Sequence, residues 1–326
     1  MSAAAPRVSA LVVSRGRPER LRACLTSVQR LAPGPDELLV LANGCDATAQ
    51  LVRAEFPQVR LLVESENTGC VAARNRLAAE ARGSWLLFLD DDGELRDPRA
   101  LGVLLDAAAR DAHVAVVSMA LFDATSGDPT GWRLSRGYIG FPCYHASFAG
   151  GASLVRRDAF RAAGGYDPAF RGHGEEFDLA VRLYAGGHAV LHLPDAVFHH
   201  HVDKTELDWR AQVSAGFCHL QYTIARLYPA PWHVPAGLKA LATQLWIDVR
   251  HHGGTRLLAE LRDALAWRRR GRAARAPVEL RALERLYFAK YHRVADWAAL
   301  ERAPRGALLR VLVWRIRRKL RRAPKL

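Results

Sequence analysis

Short apolar runs alternate with segments of helical periodicity over the first two hundred residues. The runs are typical of buried strands and cover residues 8–13, 37–42, 59–63, 85–89, 114–119, 150–156 and 189–193. Between them, apolar residues recur at helical spacing and predict helices that begin near Pro18, Asp46, Gly69, Asp97, Asp158 and Glu175. This alternation predicts an α/β fold with a mostly parallel central sheet and helices on both faces. Such sheets bind ligands beyond the carboxyl ends of their strands.

The pattern changes after about residue 205, where the periodicity becomes helical throughout. Proline and glycine interrupt it at residues 229–235, 253–254, 271–277 and 304. We therefore predict two domains, an α/β domain over residues 1–205 and a helical region over 206–326. A stretch rich in glycine, proline and aromatic residues, 123–148, predicts a long functional loop between two strands.

Composition narrows the class of protein. Half of the 326 residues are hydrophobic and a quarter are charged, which is typical of a globular chain. No uncharged apolar run approaches the ~18 residues of a membrane-spanning helix, and the N-terminus lacks the features of a signal peptide. The five cysteines are scattered, without the spacing of a disulfide framework or zinc site. We therefore expect a reducing, cytoplasmic location.

The basic charge is concentrated in the last quarter of the chain. Residues 251–326 contain 21 Lys and Arg against 6 Asp and Glu, whereas residues 1–250 contain 26 and 27. A neutral body with a basic tail indicates a partner that carries phosphate. At helical spacing, an apolar stripe is formed by Leu309, Leu312, Val313, Ile316 and Leu320, with basic residues around it. This pattern predicts peripheral binding to an anionic membrane, at the inner face of the cell membrane; the alternative is a helix packed on the body of the protein.

Three adjacent carboxylates, Asp90, Asp91 and Asp92, follow the apolar run at 85–89. Unscreened, they would repel one another strongly. At the carboxyl end of a parallel strand they predict a site for Mg²⁺ or Mn²⁺ that bridges a diphosphate. The alternative is a solvated acidic turn.

Other polar residues follow neighbouring strands and are expected at the same edge of the sheet. Asn43 follows the second strand, and Arg74 lies one turn into the helix after the third, where it could bind phosphate or simply occupy the helix surface. Glu175 and Glu176 begin a helix and could be functional or complement the helix dipole. The run His199-His200-His201 ends a strand and could supply a metal or phosphate ligand, although single histidines are usually structural.

Taken together, these segments resemble glycosyltransferase family 2, especially its bacterial rhamnosyltransferase-like branch, which has the GT-A fold. The resemblance rests on the order and spacing of motifs that are each weak alone. They are residues 14–17, 42–45, 67–75, 89–92, 150–157, 164–167 and 174–179, with Pro194 followed by His200.

The resemblance implies a role for each matching residue. A nucleotide-sugar would be bound by Ser14 and Asn43 at the nucleoside, by Arg74 at the phosphates, and by Asp90, Asp91 and Gly151. The divalent metal would be held by Asp92 and Asp90, the DxD pair, and by His200, with His199 as the alternative. The base that deprotonates the acceptor would be Glu176, with Glu175 as the alternative.

Two positions depart from the family pattern. Ala42 stands where an aspartate is usual, which puts part of the nucleoside contact in doubt. Glu176 replaces the more common aspartate and adds one methylene of reach. Because Glu and Asp have similar reference pKa values, the chemistry survives this change.

The function implied is an inverting, metal-dependent glycosyltransferase in cell-envelope polysaccharide or glycolipid synthesis. Its partners would be a nucleotide-diphosphate sugar, a saccharide or lipid-linked acceptor and an anionic membrane surface, but no nucleic acid. In the loop 123–148, Trp132, Tyr138 and Tyr144 could stack on the acceptor or pack the loop on the sheet. Two alternatives are a nucleotide-sugar nucleotidyltransferase, whose glycine-rich N-terminal loop is missing here, and a non-catalytic nucleic-acid-binding protein.

Overall fold

The computed structural model describes residues 7–130, 139–201 and 209–306. Its strands are β1 (Val8–Ser14), β2 (Glu37–Asn43), β3 (Arg60–Glu64), β4 (Trp85–Asp90), β5 (Gly93–Glu94), β6 (Val114–Asp123), β7 (Cys143–His145), β8 (Ala152–Arg156) and β9 (Ala189–His200). Its helices are α1 (Pro18–Gln29), α2 (Asp46–Glu55), α3 (Cys70–Glu80), α4 (Ala100–Ala109), α5 (Arg157–Ala162), α6 (Glu175–Ala185), α7 (Trp209–Leu227), α8 (His233–His252), α9 (Leu257–Ala273), α10 (Leu280–His292) and α11 (Trp297–Glu301).

The strands form one sheet in the order β3-β2-β1-β4-β8-β6-β9-β5, and β7 pairs with β9. The first four strands are parallel, and so are β6 and β9. The prediction of a mostly parallel sheet holds for these strands, but β8 runs antiparallel to both β4 and β6. A strand buried on both faces is apolar throughout whichever way it runs, so the hydrophobic pattern could not reveal its direction.

The core lies on both faces of this sheet. Leu86, Leu87 and Phe88 of β4 are buried, and α1 and α3 each cover the sheet with an apolar face. Phe160 of α5 packs against Phe88 with ring centroids 5.8 Å apart. Because these strands are buried on both faces, the register of β1, β2 and β4 in the sheet is fixed. The positions of the polar residues that follow them are therefore fixed as well.

Buried ion pairs join the helical region to the α/β part. Asp178 of α6 is fully buried, and its carboxylate contacts Arg182 of the same helix and Arg226 of α7. Arg226 also pairs with Asp167 at 2.7 Å. Farther along, the rings of His113 and Trp297 stack with centroids 4.2 Å apart. Helices α7 and α11 are therefore packed on the sheet domain and share its buried contacts.

Part of the predicted loop 123–148 is ordered into β7, which pairs with β9. Tyr144 lies in this strand, is 1% exposed, and donates its hydroxyl hydrogen bond to Asp111. It packs the segment on the sheet and cannot be a stacking surface for an acceptor. Trp132 and Tyr138, the predicted domain boundary at 205, and the stripe at 309–320 all lie outside the described residues.

None of the helices in the described ranges combines the length and apolarity needed to cross a bilayer.

Candidate active site

The polar residues that follow β1, β2 and β4 meet at one edge of the sheet. The parallel register places Ser14 beside Ala42 and Val13 beside Asp90. Because these strands run in the same direction, their carboxyl ends open onto a common crevice. The structure therefore brings the ends of β1, β2 and β4 to one edge of the sheet, where the sequence predicted them.

Asp90, Asp92 and His200 form a cluster in which one potential ligand atom of each lies within 4.8 Å of the others. The Nε2 atom of His200 is 2.9 Å from Oδ1 of Asp92. The antiparallel pairing of β5 with β9 produces this approach, since Gly93 lies opposite His200. His199 points to the opposite face of β9, as side chains alternate along a strand. Of the two histidines left open by the sequence, His200 is the one beside the carboxylates.

Two carboxylates and an imidazole are a donor set that suits Mg²⁺ or Mn²⁺. Burial would raise the pKa of Asp92, but the hydrogen bond and charge of His200, with the charge of Arg17, lower it below its ordinary value. Burial works against the protonated form of His200, yet Asp92 raises its pKa. The carboxylate of Asp92 is thus ionised at neutral pH, as a metal ligand must be. The residues present fit a divalent cation.

Arg17 holds the other side of the acidic turn. Its two terminal nitrogens lie 2.5 Å from carboxylate oxygens of Asp91 and Asp92. Asp91 is 1% exposed, and this burial raises its pKa to about 6 against the opposing charge of Arg17. The guanidinium therefore compensates two carboxylates that would otherwise repel each other. The alternative of a simply solvated acidic turn is wrong.

Arg74 is also buried, with 6% of its surface exposed, which excludes an ordinary helix-surface arginine. Its Nη2 donates to Oδ1 of Asp90 at 2.6 Å, and its Nη1 lies 3.5 Å from Oε1 of Glu175. The guanidinium consequently links the strand-end carboxylate to the start of α6. A buried arginine with two acidic partners is held in a fixed orientation.

Two glycines before β8 make room for these side chains. A Cβ atom on Gly151 would lie 1.9 Å from the carboxylate carbon of Asp90. A Cβ on Gly150 would lie 2.6 Å from Nη1 of Arg74 and 2.7 Å from Oε1 of Glu176. The backbone amide of Asp90 donates to the carbonyl of Gly151 at 2.8 Å, so this contact is built into the sheet edge. A side chain at either position would have to displace Arg74, Glu176 or Asp90.

A cavity of about 400 Å³ opens at this edge. Glu176 lines it, whereas Glu175 is 3% exposed and directed at Arg74. Burial, reinforced by the charge of Glu175, raises the pKa of Glu176 to about 7. The described residues lining the cavity are Arg74, Asp90, Leu121, Ser147, Phe148, Ala149, Gly150, Gly151, Ala152, His173, Gly174, Glu176, Phe198, His200 and Gly216.

Two predicted site residues, Ser14 and Asn43, do not line the cavity. The Oδ1 atom of Asn43 accepts hydrogen bonds from the backbone and hydroxyl of Thr68, and its Nδ2 donates to Asn67 and Gly69. The side chain of Asn43 therefore holds the turn between β3 and α3. Ser14 is 1% exposed at the end of β1. The structure brings both to the correct edge, but in buried positions.

Sequence reasoning assigned no role to several residues that shape the site. Arg17 lies within the motif 14–17. Its position directly before Pro18, at the start of α1, could have indicated that its side chain is held in place. His173 has a left-handed φ of 64°, between two glycines that also have positive φ. This strained turn sets the entry to α6 and puts His173 and Gly174 on the cavity wall. Gly216 of α7 had no local signal, since only tertiary packing brings it there.

Comparison with known proteins agrees with the family resemblance found in the sequence. The family described as "Glycosyl transferase family 2" matches residues 9–163. O-antigen biosynthesis protein RfbC of Myxococcus xanthus is 30% identical over 220 residues, 60% of this chain but 17% of the relative's length. N-acetylglucosaminyl-diphospho-decaprenol L-rhamnosyltransferase of Mycobacterium tuberculosis is 26% identical over 251 residues, 65% of this chain and 81% of the relative.

Solved structures share the fold at low sequence identity. A mannosyltransferase from Pyrobaculum calidifontis, solved with GDP-Man and Mn²⁺, has a TM-score of 0.54 at 19% identity over 82% of this chain and 84% of its own. TarS of S. aureus has a TM-score of 0.56 at 14% identity, covering 87% of this chain and 52% of its own. These likenesses confirm the predicted GT-A fold with a helical C-terminal region.

Proposed function

We propose that this chain, whose residues 9–163 match the model of glycosyltransferase family 2, moves a sugar from a nucleotide-diphosphate sugar to an acceptor hydroxyl with inversion. The observation that carries the proposal is Glu176, whose carboxyl has a pKa of about 7 and lines the same cavity as Asp90, Arg74 and His200. A base with such a pKa beside a diphosphate site suits this reaction.

The donor would lie with its diphosphate at the carboxylate cluster. Asp90, Asp92 and His200 would hold Mg²⁺ or Mn²⁺ there, and the bound ion would neutralise negative charge on the diphosphate. Arg74 would add a fixed positive charge where the leaving nucleotide diphosphate develops negative charge. The Pyrobaculum relative, solved with Mn²⁺ and GDP-Man, supports a divalent ion beside a nucleotide-sugar.

The nucleoside would extend from the cluster toward the ends of β1 and β2, where Ser14 and Asn43 lie. Ala42 offers a methyl group where the family pattern has an acceptor oxygen. Since the side chain of Asn43 holds the β3–α3 turn, we assign it to shaping the nucleoside pocket. Backbone groups of that turn would then contact the nucleoside.

Glu176 would act as the base. Its carboxylate takes the proton of the acceptor hydroxyl as the oxygen attacks the anomeric carbon. The new carbon–oxygen bond forms on the face opposite the bond to the diphosphate, which breaks with its electron pair leaving on the diphosphate oxygen. One direct displacement of this kind inverts the anomeric configuration. Glu175, directed at Arg74, would instead fix the arginine.

Two relatives point to the biological setting. One is named for O-antigen biosynthesis and another for transfer to a diphospho-decaprenol acceptor. We therefore propose a lipid-linked or saccharide acceptor in cell-envelope polysaccharide or glycolipid synthesis. A peripheral position at the membrane, aided by the cationic segment 309–322, would bring the enzyme to such an acceptor.

Donor profiling tests this function. Purified protein is incubated with UDP-, dTDP- and GDP-sugars and Mn²⁺, and both release of nucleotide diphosphate and thermal stabilisation are measured. We expect one nucleotide to stabilise the protein more with Mn²⁺ than with EDTA, and its sugar donor to be slowly hydrolysed. No stabilisation and no hydrolysis with any donor would contradict the proposal. Pyrophosphate release from a nucleoside triphosphate and a sugar phosphate would indicate the nucleotidyltransferase alternative.

A further inference from the structure

The exposed apolar side chains of this protein are concentrated in one place, the hairpin of α8 and α9 (residues 233–273). Leu258 is 84% exposed, Leu238 62% and Trp246 54%. Elsewhere in the described ranges, large exposed apolar side chains are limited to Val63 and Phe141. The six on the hairpin are Val234, Leu238, Trp246, Val249, Leu258 and Leu265. Such a concentration marks an interaction surface.

Spacing puts these residues on one face of each helix. At 100° per residue, the four on α8 fall within an arc of about 120°. Leu258 and Leu265 of α9 are seven residues apart, which is two turns on the same side. Each of the two helices therefore has one exposed apolar face.

The opposite faces of the hairpin are closely packed. Gly271 of α9 lies so near α7 that a Cβ atom there would be 2.4 Å from the carbonyl oxygen of Tyr222. Gln244 of α8 donates a hydrogen bond to Glu260 of α9, and both are buried. Because this packing determines which side of each helix is buried, it also determines which apolar residues are exposed.

The hairpin as a whole carries net positive charge. Residues 233–273 contain eight Lys and Arg and three Asp and Glu. Of the acidic residues, Asp248 and Glu260 are buried, and Asp263 pairs with Arg262 at 3.2 Å. The guanidinium of Arg250 lies over the ring of Trp246, 5.8 Å from its centroid. A second copy of this surface, or the basic segment 307–326, would be repelled by it. An anionic surface would be attracted.

We propose that the α8–α9 hairpin docks on an anionic lipid bilayer, with its apolar side chains at the headgroup–acyl boundary and its arginines at lipid phosphates. An amphipathic surface with basic residues beside exposed Leu and Trp has the chemistry of interfacial binding. This membrane contact is separate from sugar transfer, because it depends on the surface of the hairpin and not on the active site. It also has a consequence for the active site: α7, on which the hairpin packs, contributes Gly216 to the cavity wall, so docking would hold the cavity close to the bilayer.

Vesicle flotation of the full chain tests the proposal. The vesicles are phosphatidylcholine alone or with 30 mol% phosphatidylglycerol, at about 50 mM salt. The hairpin variant combines Leu238→Gln, Trp246→Gln and Leu258→Gln, three exposed positions where glutamine should not disturb folding. Val63→Gln, at an exposed apolar residue of β3, is the matched control. We expect the hairpin variant to bind the anionic vesicles at least about tenfold more weakly than wild type and the control to bind equally.

A second measurement does not depend on the triple variant. Trp246→Phe keeps the surface apolar but removes one indole. Brominated anionic lipids should therefore quench a larger part of the tryptophan emission in wild type than in this variant. Equal quenching in both would overturn the proposal.

Other results would overturn it as well. If the hairpin variant floats like wild type, any binding comes from elsewhere, such as the predicted stripe at 309–320. If wild type does not float, the surface has another occupant. Concentration-dependent dimerisation that the triple variant abolishes would identify a second copy instead. Donor hydrolysis in solution, measured on the same variants, should stay unchanged. Loss of membrane binding can therefore be distinguished from loss of the proposed transferase activity.

Discussion

The acidic segment after β4 and the acidic segment at the start of α6 differ in how their charges are compensated. Asp91 and Asp92 share Arg17, and Asp90 contacts Arg74. In α6, Glu175 and Asp178 also face arginines, but among the described residues Glu176 forms no ion pair within 4 Å. His200 and Arg17 keep the carboxylate of Asp92 ionised, as a metal ligand must be. Glu176 has no ion-pair partner of this kind; its burial and the charge of Glu175 raise its pKa to about 7 against the charge of Arg74, which suits it to moving a proton.

The largest effect is expected from Glu176→Gln, which keeps the shape of the side chain but cannot accept a proton. Turnover should fall by about 10²–10⁴-fold, with donor binding nearly unchanged. Steady-state transfer and thermal shift with the nucleotide diphosphate measure the two quantities. Glu175→Gln is the matched control and should lose less than about tenfold of turnover. An inactive Glu175→Gln beside an active Glu176→Gln would reverse the assignment.

The pH dependence of the wild type sharpens the same contrast. Only the deprotonated form of Glu176 can act as base, and its pKa is about 7. Turnover should therefore rise about tenfold per pH unit below pH 7 and level off above it. A profile that is flat between pH 5.5 and 8 would exclude Glu176 as the titrating base.

Asp92→Asn tests the compensated segment. Because Asp92 is a proposed direct ligand, its loss should weaken Mn²⁺ binding by at least about 10²-fold, the upper end of the loss when an outer-shell partner is removed. In a thermal-shift assay, the extra stabilisation by nucleotide diphosphate in Mn²⁺ over EDTA should disappear. Asp91→Asn changes a buried neighbour that is directed at Arg17, so it should keep that increment. If both variants behave alike, the division between Asp91 and Asp92 is wrong.

Gly151→Ala should lower turnover by about tenfold, because the added methyl must displace the carboxylate of Asp90. Gly216→Ala is the control, since it also lines the cavity but its Cβ would have no atom within 4 Å. That control should keep full activity and be slightly more stable, as alanine favours helix. Equal activity of the two variants would show that Asp90 can move without consequence.

The smallest effect is on stability. The pKa of Glu176 is about 7 in the folded state against 4.5 ordinarily, so the wild type loses stability as pH rises from 4.5 to 7. Replacing the ionised carboxylate by glutamine should stabilise the protein by roughly 3 kcal/mol at pH 8 and by less than about 1 kcal/mol at pH 5. Melting curves of Glu176→Gln and wild type should differ by a few degrees at pH 8. A larger difference at pH 5 than at pH 8 would contradict the raised pKa.

The sequence predicted that the site lies at the carboxyl ends of the strands, because the apolar runs end where polar motifs begin. That signal is local in the sequence. It could not separate Glu175 from Glu176 or His199 from His200. Those choices depend on which face of α6 or β9 meets the cavity. The antiparallel direction of β8 and the burial of Tyr144 were also hidden, because strand direction and loop packing are decided by distant contacts. Ser14 and Asn43 were placed at the correct edge, but burial and hydrogen bonding could be seen only in the fold.

The glycine pair before β8 has a consequence for redesigning donor choice. Because a side chain at Gly150 or Gly151 would displace Arg74, Glu176 or Asp90, that stretch of the cavity wall is bare main chain and offers no side chain that could be varied to change the sugar preference. Changes in substrate preference must therefore come from neighbouring residues that line the same cavity, such as Leu121, Ser147 and Phe198. A mutant library should therefore randomise these three positions and leave the two glycines fixed.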